Sequence, residues 1–166
     1  MAGLSGKELE VVSFLELNDK FFFTRSDIKR FFSNYNELTV FLYNLRKKGR
    51  IIKLTRSKYY LVPVKAYNGH WSEHPFILVD EIFDGKNYFI SGFAAAHYWK
   101  LIDQIPARTE VYCMRRSGAK EFFHHRIVFK RLRKHRIKDF ERKEIKGHRF
   151  NIATKEAIKK WLESRE

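Results

Sequence analysis

Residues 34–49 read NYNELTVFLYNLRKKG, and this stretch constrains the fold more than any other. Leu38, Phe41, Leu42 and Leu45 stand at i, i+3, i+4 and i+7, which lines them up along one side of an α-helix. Asn34 is a good N-cap with Glu37 three residues on. At the other end Arg46, Lys47 and Lys48 bring cations to the negative pole of the helix dipole, and Gly49 suits a left-handed stop. A helix so bounded buries one side and presents the other. The presented side is Asn36, Val40, Tyr43 and Lys47, flanked by Thr39 and Asn44.

Two shorter helices are predicted before it. Ser5 and Glu8 form a capping box, with Leu4 and Leu9 as a hydrophobic staple, so a helix runs to about Leu17 and buries Leu9, Val12 and Leu15. Thr24 caps a second, with Phe23 against Ile28, ending near Ser33. After Gly49, residues 50–55 and 59–62 are β-rich runs joined by Arg56, Ser57 and Lys58, a hairpin. Arg46, Lys47, Lys48, Arg50, Lys53, Arg56 and Lys58 crowd this region without one acid among them. Three helices and a basic hairpin make a winged helix-turn-helix, whose third helix enters the major groove while the wing lies against the backbone or minor groove. Asn36 and Asn44 have the amide that reads an adenine edge, and Thr39 or Val40 can pack on a thymine methyl. Arg56 and Lys58 at the wing tip reach phosphates. With Arg25, Tyr43 and Lys47 these are the candidate residues for contacting double-stranded DNA.

The charge agrees. The chain of 166 residues carries a net +15, with a pI near 10, which argues for a polyanionic partner. The excess is concentrated, since residues 115–138 hold 10 Lys or Arg against the single Glu121. Cys113 is the sole cysteine, which excludes an intrachain disulfide and suits a reducing cytosol. The opening MAGLSGKELE lacks the basic and apolar regions of a signal peptide. The apolar run 87–99 is closed by Lys86 and Lys100 and is too short to span a bilayer. A cytoplasmic protein with no membrane partner is expected.

Residues 63–69 read as a connector. Ser72 is expected to cap a helix through Phe83, residues 84–87 to turn, and residues 88–90 to extend. Ser91 then caps an alanine-rich helix to Trp99 or Leu101. Residues 109–114, 126–132 and 150–152 read as strands, and Thr154 starts a last helix with Ala157, Ile158, Trp161 and Leu162. The expected class is α+β, with a winged helix-turn-helix at 1–62 followed by a small α/β domain at 63–166.

Three stretches carry a likeness to a known family. GRIIKLTRSKYYL resembles the wing of AbiEi-family antitoxins, with its glycine, basic-apolar strand and tyrosine. YFISGFAAAHYWKLIDQIPARTEVYCMRR is similar to that family's next segment, a tyrosine-isoleucine-serine lead into an alanine-rich helix, then a Gln-x-Pro turn and a strand. KGHRFNIATKEAIKKWL resembles its later strand and Thr-x-Glu helix start. The chain departs from the pattern at Ser57 and Lys58, where the wing turn usually has glycine, and at Lys155, where a proline is common. The family's longer helical C-terminal part has no counterpart before Glu166. The resemblance implies a transcriptional autorepressor of an antitoxin–toxin operon. It further implies an antitoxin that neutralises a nucleotidyltransferase-like toxin without a stable complex, a role tied to the C-terminal part. A winged helix reads few base pairs, so a homodimer or cooperative pairing on repeats is expected.

Rival chemistries are weaker. Glu144 and Lys146, with Glu141 nearby, match half of a metal-dependent nuclease motif, but no paired aspartate precedes them. Cys113, His124 and His125 fit no zinc spacing. A single-stranded nucleic-acid module needs exposed aromatics, and Tyr112, Phe122, Phe123 and Phe129 alternate with charges in a way that turns them inward. No enzyme activity, cofactor or metal is expected.

Overall fold

The computed structural model describes residues 3–63 and 73–165. The chain divides into two compact units, residues 1–71 and 72–166. The fold is α+β, with a winged helix-turn-helix arrangement first and a six-stranded mixed sheet second.

In the first unit α1 spans Gly6–Leu17, β1 Phe22–Thr24, α2 Arg25–Ile28, α3 Tyr35–Lys47, β2 Ile51–Lys53 and β3 Lys58–Leu61. The predicted caps form. Glu8 N–H donates to Ser5 Oγ (3.3 Å) while Ser5 N–H donates to Glu8 Oε2 (2.7 Å). Glu37 N–H donates to Asn34 Oδ1 at 2.9 Å. At the far end of α3, Arg50 N–H donates to Leu45 O and Gly49 N–H to Arg46 O, a Schellman stop with Gly49 at φ +70°.

Four expectations need correction. Of the three residues expected to be buried on α1, Val12 and Leu15 are, but Leu9 is 57% exposed, and Glu8 and Val11 complete the buried stripe in its place. The second helix is one α-turn followed by a 3-10 turn at Lys29–Phe31. The first wing strand is shorter than read and the second begins one residue earlier, so Lys58 opens β3, half-buried, instead of standing at the tip. A third strand, β1, completes an antiparallel sheet of order β1-β3-β2, with Phe23 opposite Tyr59.

The core joins Val11, Val12 and Leu15 to Phe23, Ile28 and the α3 stripe of Leu38, Phe41, Leu42 and Leu45. Lys48, the C-cap of α3, donates to Gly3 O at 3.0 Å and to Glu8 Oε2 at 2.5 Å, tying the end of α3 to α1. Burial alone would raise the Glu8 carboxyl, but the bonds from Lys48 and Ser5 outweigh it and hold it below its ordinary 4.5.

In the second unit the sheet order is β6-β7-β5-β4-β9-β8. Here β4 is Tyr88–Ser91, β5 Arg108–Cys113, β6 Gly118–Phe122, β7 His125–Arg131, β8 Phe140–Ile145 and β9 His148–Ala153; the helices are α4 Pro75–Phe83, α5 Gly92–Tyr98 and α6 Lys155–Glu163. The pairs β5/β7 and β4/β9 are parallel. His74 caps α4 through its Nδ1, with Pro75 at the first helical position; the expected cap Ser72 and most of the connector lie outside the described residues. Ser91 precedes α5 without a side-chain capping bond, and α5 ends at Tyr98. Gly92 stands at φ +65°, and a Cβ there would come within 2.9 Å of Glu110 Oε2, so only glycine fits. Strands β6 and β8 are additions to the reading.

The two sheet faces differ. Tyr88, Phe129 and Phe150 lie on one face, packed by Phe76 and Phe83 of α4. Tyr88 Oη donates to Asp80 Oδ1 (2.6 Å) and accepts from Asn151 N–H (3.0 Å), satisfying a phenol that burial and Asp80 push far up in pKa. On the other face Tyr112, Phe89 and Phe140 form a row, with rings 5.5 and 5.8 Å apart and nearly parallel. Beside this row the buried Glu110 accepts from Lys130 at 2.5 Å and from Arg108 at 3.0 Å.

Truncating Leu45, which is fully buried, should cost about 2–5 kcal/mol, whereas Leu9→Ala should stay within roughly 0.5 kcal/mol of wild type. Urea denaturation of both variants checks this, and equal losses would contradict the observed phase of α1. The Glu8 tether carries a pH signature. A carboxyl held below 4.5 adds stability above that pH and loses it as pH falls through the depressed value. Glu8→Gln should lower the urea midpoint at pH 7 and remove part of the acid-induced decline toward pH 3. Parallel pH curves for the two proteins would show that the tether holds no folding energy.

Candidate nucleic-acid interface

Because the α3 stripe is consumed by the core, the opposite side of the helix is free of packing. Asn36, Asn44 and Lys47 are exposed, and Val40 and Tyr43 are 58% and 64% exposed. Tyr35 at the first turn adds a third bare apolar side chain, at 66%. A surface helix usually turns its charged residues outward and keeps large apolar ones in. Here the outward face carries amides, a valine and two tyrosines, with Lys47 at the end.

Thr39 is exposed, but its hydroxyl is committed. It donates to Tyr35 O at 2.9 Å and accepts from Arg25 Nη1 at 2.9 Å. The Arg25 guanidinium also lies 4.7 Å from the centre of the Tyr35 ring, a cation–π contact. Thus Arg25 is carried on α2 yet held against the first turn of α3, and what Thr39 leaves free is its methyl group. Arg25 also lines a groove of about 310 Å³ with Ser26, Lys29, Asn34 and Tyr35. Tyr35, Ser26 and Lys29 were not among the residues anticipated. The only sequence signal for Tyr35 is its place just after the Asn34 cap.

The wing tip is residues 54–57. Thr55 organises it, its Oγ1 accepting from Ser57 N–H (3.3 Å) and Lys58 N–H (3.1 Å), which replaces the usual glycine turn with a hydroxyl-closed one. Leu54 is fully buried below, and Arg56 and Ser57 project. Lys58 is half-buried at the start of β3, opposite Thr24. The first unit therefore assembles Arg25, Thr39 and Tyr35 at one place, the row from Asn36 to Lys47 along α3, and Arg56 on the hairpin.

Glu144 is exposed on β8 opposite Arg149, and Lys146 sits in the hairpin turn at φ +50°. Glu141 pairs with Lys143 at 2.8 Å, and an odd spacing along β8 puts Glu141 and Glu144 on opposite faces, so they do not converge on one ion. Among the described residues no group of three His, Cys, Asp or Glu is placed to hold a metal. Cys113 is buried, its thiol pushed up by that burial, with Sγ bonded to Arg116 O. Phe122 and Phe129 are buried, which removes them as base-stacking surfaces. No described helix is long and apolar enough to cross a membrane.

No family model matches the chain, and no curated protein matches it in sequence. The fold is similar to the crystal structure of the Rv2827c protein from Mycobacterium tuberculosis, with a TM-score of 0.56 and 14% identity. The match covers 82% of this chain and 49% of that one, so the chain spans about half the length of the protein it resembles. At that identity the likeness speaks for the fold alone.

Proposed function

We propose that the chain is a sequence-specific double-stranded DNA-binding transcriptional regulator that represses its own operon, of the kind found in AbiEi-type antitoxins. The observation that carries this reading is the exposed face of α3, where Asn36, Val40, Tyr43 and Asn44 stand clear of the core beside the wing residue Arg56 on a chain of net charge +15. Short amides and apolar groups distinguish base edges, and the surplus cations supply the sequence-independent attraction to phosphate. In this mode α3 enters the major groove, Arg56 contacts the backbone, and Arg25 stays against α3 and stiffens its first turn. Two copies on a repeated site, as a dimer or as cooperative monomers, give the specificity that one winged helix lacks. A cognate nucleotidyltransferase-like toxin, neutralised without a stable complex, belongs to the same proposal and rests on the sequence resemblance.

Footprinting on the DNA upstream of the protein's own gene tests the reading. Two protected half-sites separated by whole helical turns are expected, and indifference to sequence at moderate salt would sink the regulator assignment. Arg56→Ala should weaken binding to every duplex alike and lower the slope of log K against log salt by about one. Asn36→Ala or Tyr43→Ala should instead narrow the gap between operator and random DNA by about 1–3 kcal/mol. Equal losses on both DNAs for the α3 variants would show that α3 does not read bases.

A further inference from the structure

The second unit contains a groove for which the DNA-binding reading has no use. It is about 520 Å³, within the range of small-ligand pockets, and lies over the aromatic face of the sheet. Phe89 and Tyr112 form its floor, with Ala153 between β4 and β8 small enough to leave room above. Ala157, Ile158 and Trp161 of α6 form one wall. The segment 132–139 forms the other and brings His135, Arg136 and Lys138 to the rim, with Asp139 as the single acid.

Three features together narrow what such a groove takes. The lining is mainly apolar and aromatic, which suits a flat, poorly hydrated ring. Arg136 and Lys138 are exposed and make no ion pair among the described residues, whereas Lys130 next to the floor is occupied by Glu110. Two uncommitted cations on one rim of an apolar groove are suited to an anionic group attached to that ring. Finally Ser91, only 7% exposed, lines the groove without capping α5, leaving a hydroxyl at the floor for an orienting hydrogen bond. A fatty chain would not use the Ser91 hydroxyl or the rim cations, and a bare inorganic anion would not use the aromatic floor.

We infer that this groove binds a nucleoside phosphate, with the base lying along the ring edges of Phe89 and Tyr112, whose faces are taken up by the aromatic row, and the phosphate at Arg136 and Lys138. Every residue of the groove belongs to the second unit and none to α3 or the wing, so the inference stands or falls independently of the DNA-binding proposal.

The test is calorimetric titration of the full chain with adenosine and guanosine 5′-monophosphates and triphosphates, with adenosine and inorganic phosphate as part-ligands. Saturable binding is expected for at least one nucleotide, and much weaker binding for either part alone. The exposed double substitution Arg136→Ala and Lys138→Ala should weaken it at least about tenfold, the scale of one lost charge-assisted hydrogen bond. Ala157→Phe, which fills the groove from the half-buried face of α6, should abolish it. Arg56→Ala, on the wing, should leave it unchanged, which separates this site from general polyanion affinity. The inference is overturned if no nucleotide binds at millimolar concentration, if inorganic phosphate competes as well as the nucleotide, or if both groove variants bind as wild type. Binding of a 5′-phosphorylated single strand but of no free nucleotide would also overturn it, since the groove would then serve a strand end.

Discussion

The burial of one stripe of α3 is the constraint on which the first unit depends. Leu38, Phe41, Leu42 and Leu45 join the core from a single helical side, so every residue opposite them is turned outward by geometry. Three clamps keep the helix from rotating out of that phase. Asn34 fixes its start, Gly49 and Arg50 close its end, and Lys48 ties that end to Glu8 of α1. A rotation of one residue would swing the outward row by about 100° and put Val40 or Tyr43 against the core. The clamps are polar and the stripe is apolar, so orientation and stability come from different interactions. That division lets the outer row vary in sequence without loss of the fold.

The second unit divides its labour by strand alternation. On β4, Tyr88 and Ile90 turn toward α4 and are fully buried, while Phe89 and Ser91 turn to the opposite face. The closed face is sealed by aromatic packing and the Tyr88–Asp80–Asn151 bonds. The other keeps Glu110 buried beside Lys130 and Arg108, and Gly92 is bare because that carboxylate leaves no room for a Cβ. Burying the Glu110 carboxylate costs desolvation, which the two part-exposed cations on it offset. The triad holds the start of α5 against β5, leaving the remaining part of the face open between α6 and residues 132–139.

What could be read from the sequence follows the range of the interactions responsible. Caps are local, so Ser5, Asn34, Thr154 and Gly49 marked helix ends correctly, and the i, i+3, i+4, i+7 stripe gave α3 its buried side. Strand β1 escaped notice because Phe22–Thr24 are three residues whose extended form comes from pairing with β3, far along the chain. Strands β6 and β8 escaped for the opposite reason. GAKEF and FERKEI are edge strands kept charged on their exposed positions, which blunts edge-to-edge association and also hides the alternation that reveals a strand. Arg25 is a DNA-facing candidate in the sequence. Its bond to Thr39, fourteen residues away, depends on how α2 and α3 pack and has no sequence signature. The groove in the second unit was invisible for the same reason, since its walls come from strands and a helix scattered across residues 89–161.

The position of Arg25 changes what its charge can do. An arginine free on the surface would contribute one more counterion-releasing contact, the kind that raises affinity for any duplex. Held over Tyr35 and bonded to Thr39, it has already lost the rotamer freedom that docking would cost, and one of its donors is spent. The cation therefore acts in the proposed mode as part of a preformed surface, while Arg56 stands exposed on the projecting wing tip. In the proposed mode, a braced first turn on α3 and an exposed arginine at the wing tip separate the two components of recognition physically. Base discrimination needs side chains held to within fractions of an ångström, and phosphate attraction tolerates movement because it falls slowly with distance. In the proposed mode a chain whose net charge is +15 gains little specificity from further cations, and selectivity falls to the uncharged row of Asn36, Val40, Tyr43 and Asn44 that the buried stripe keeps in register.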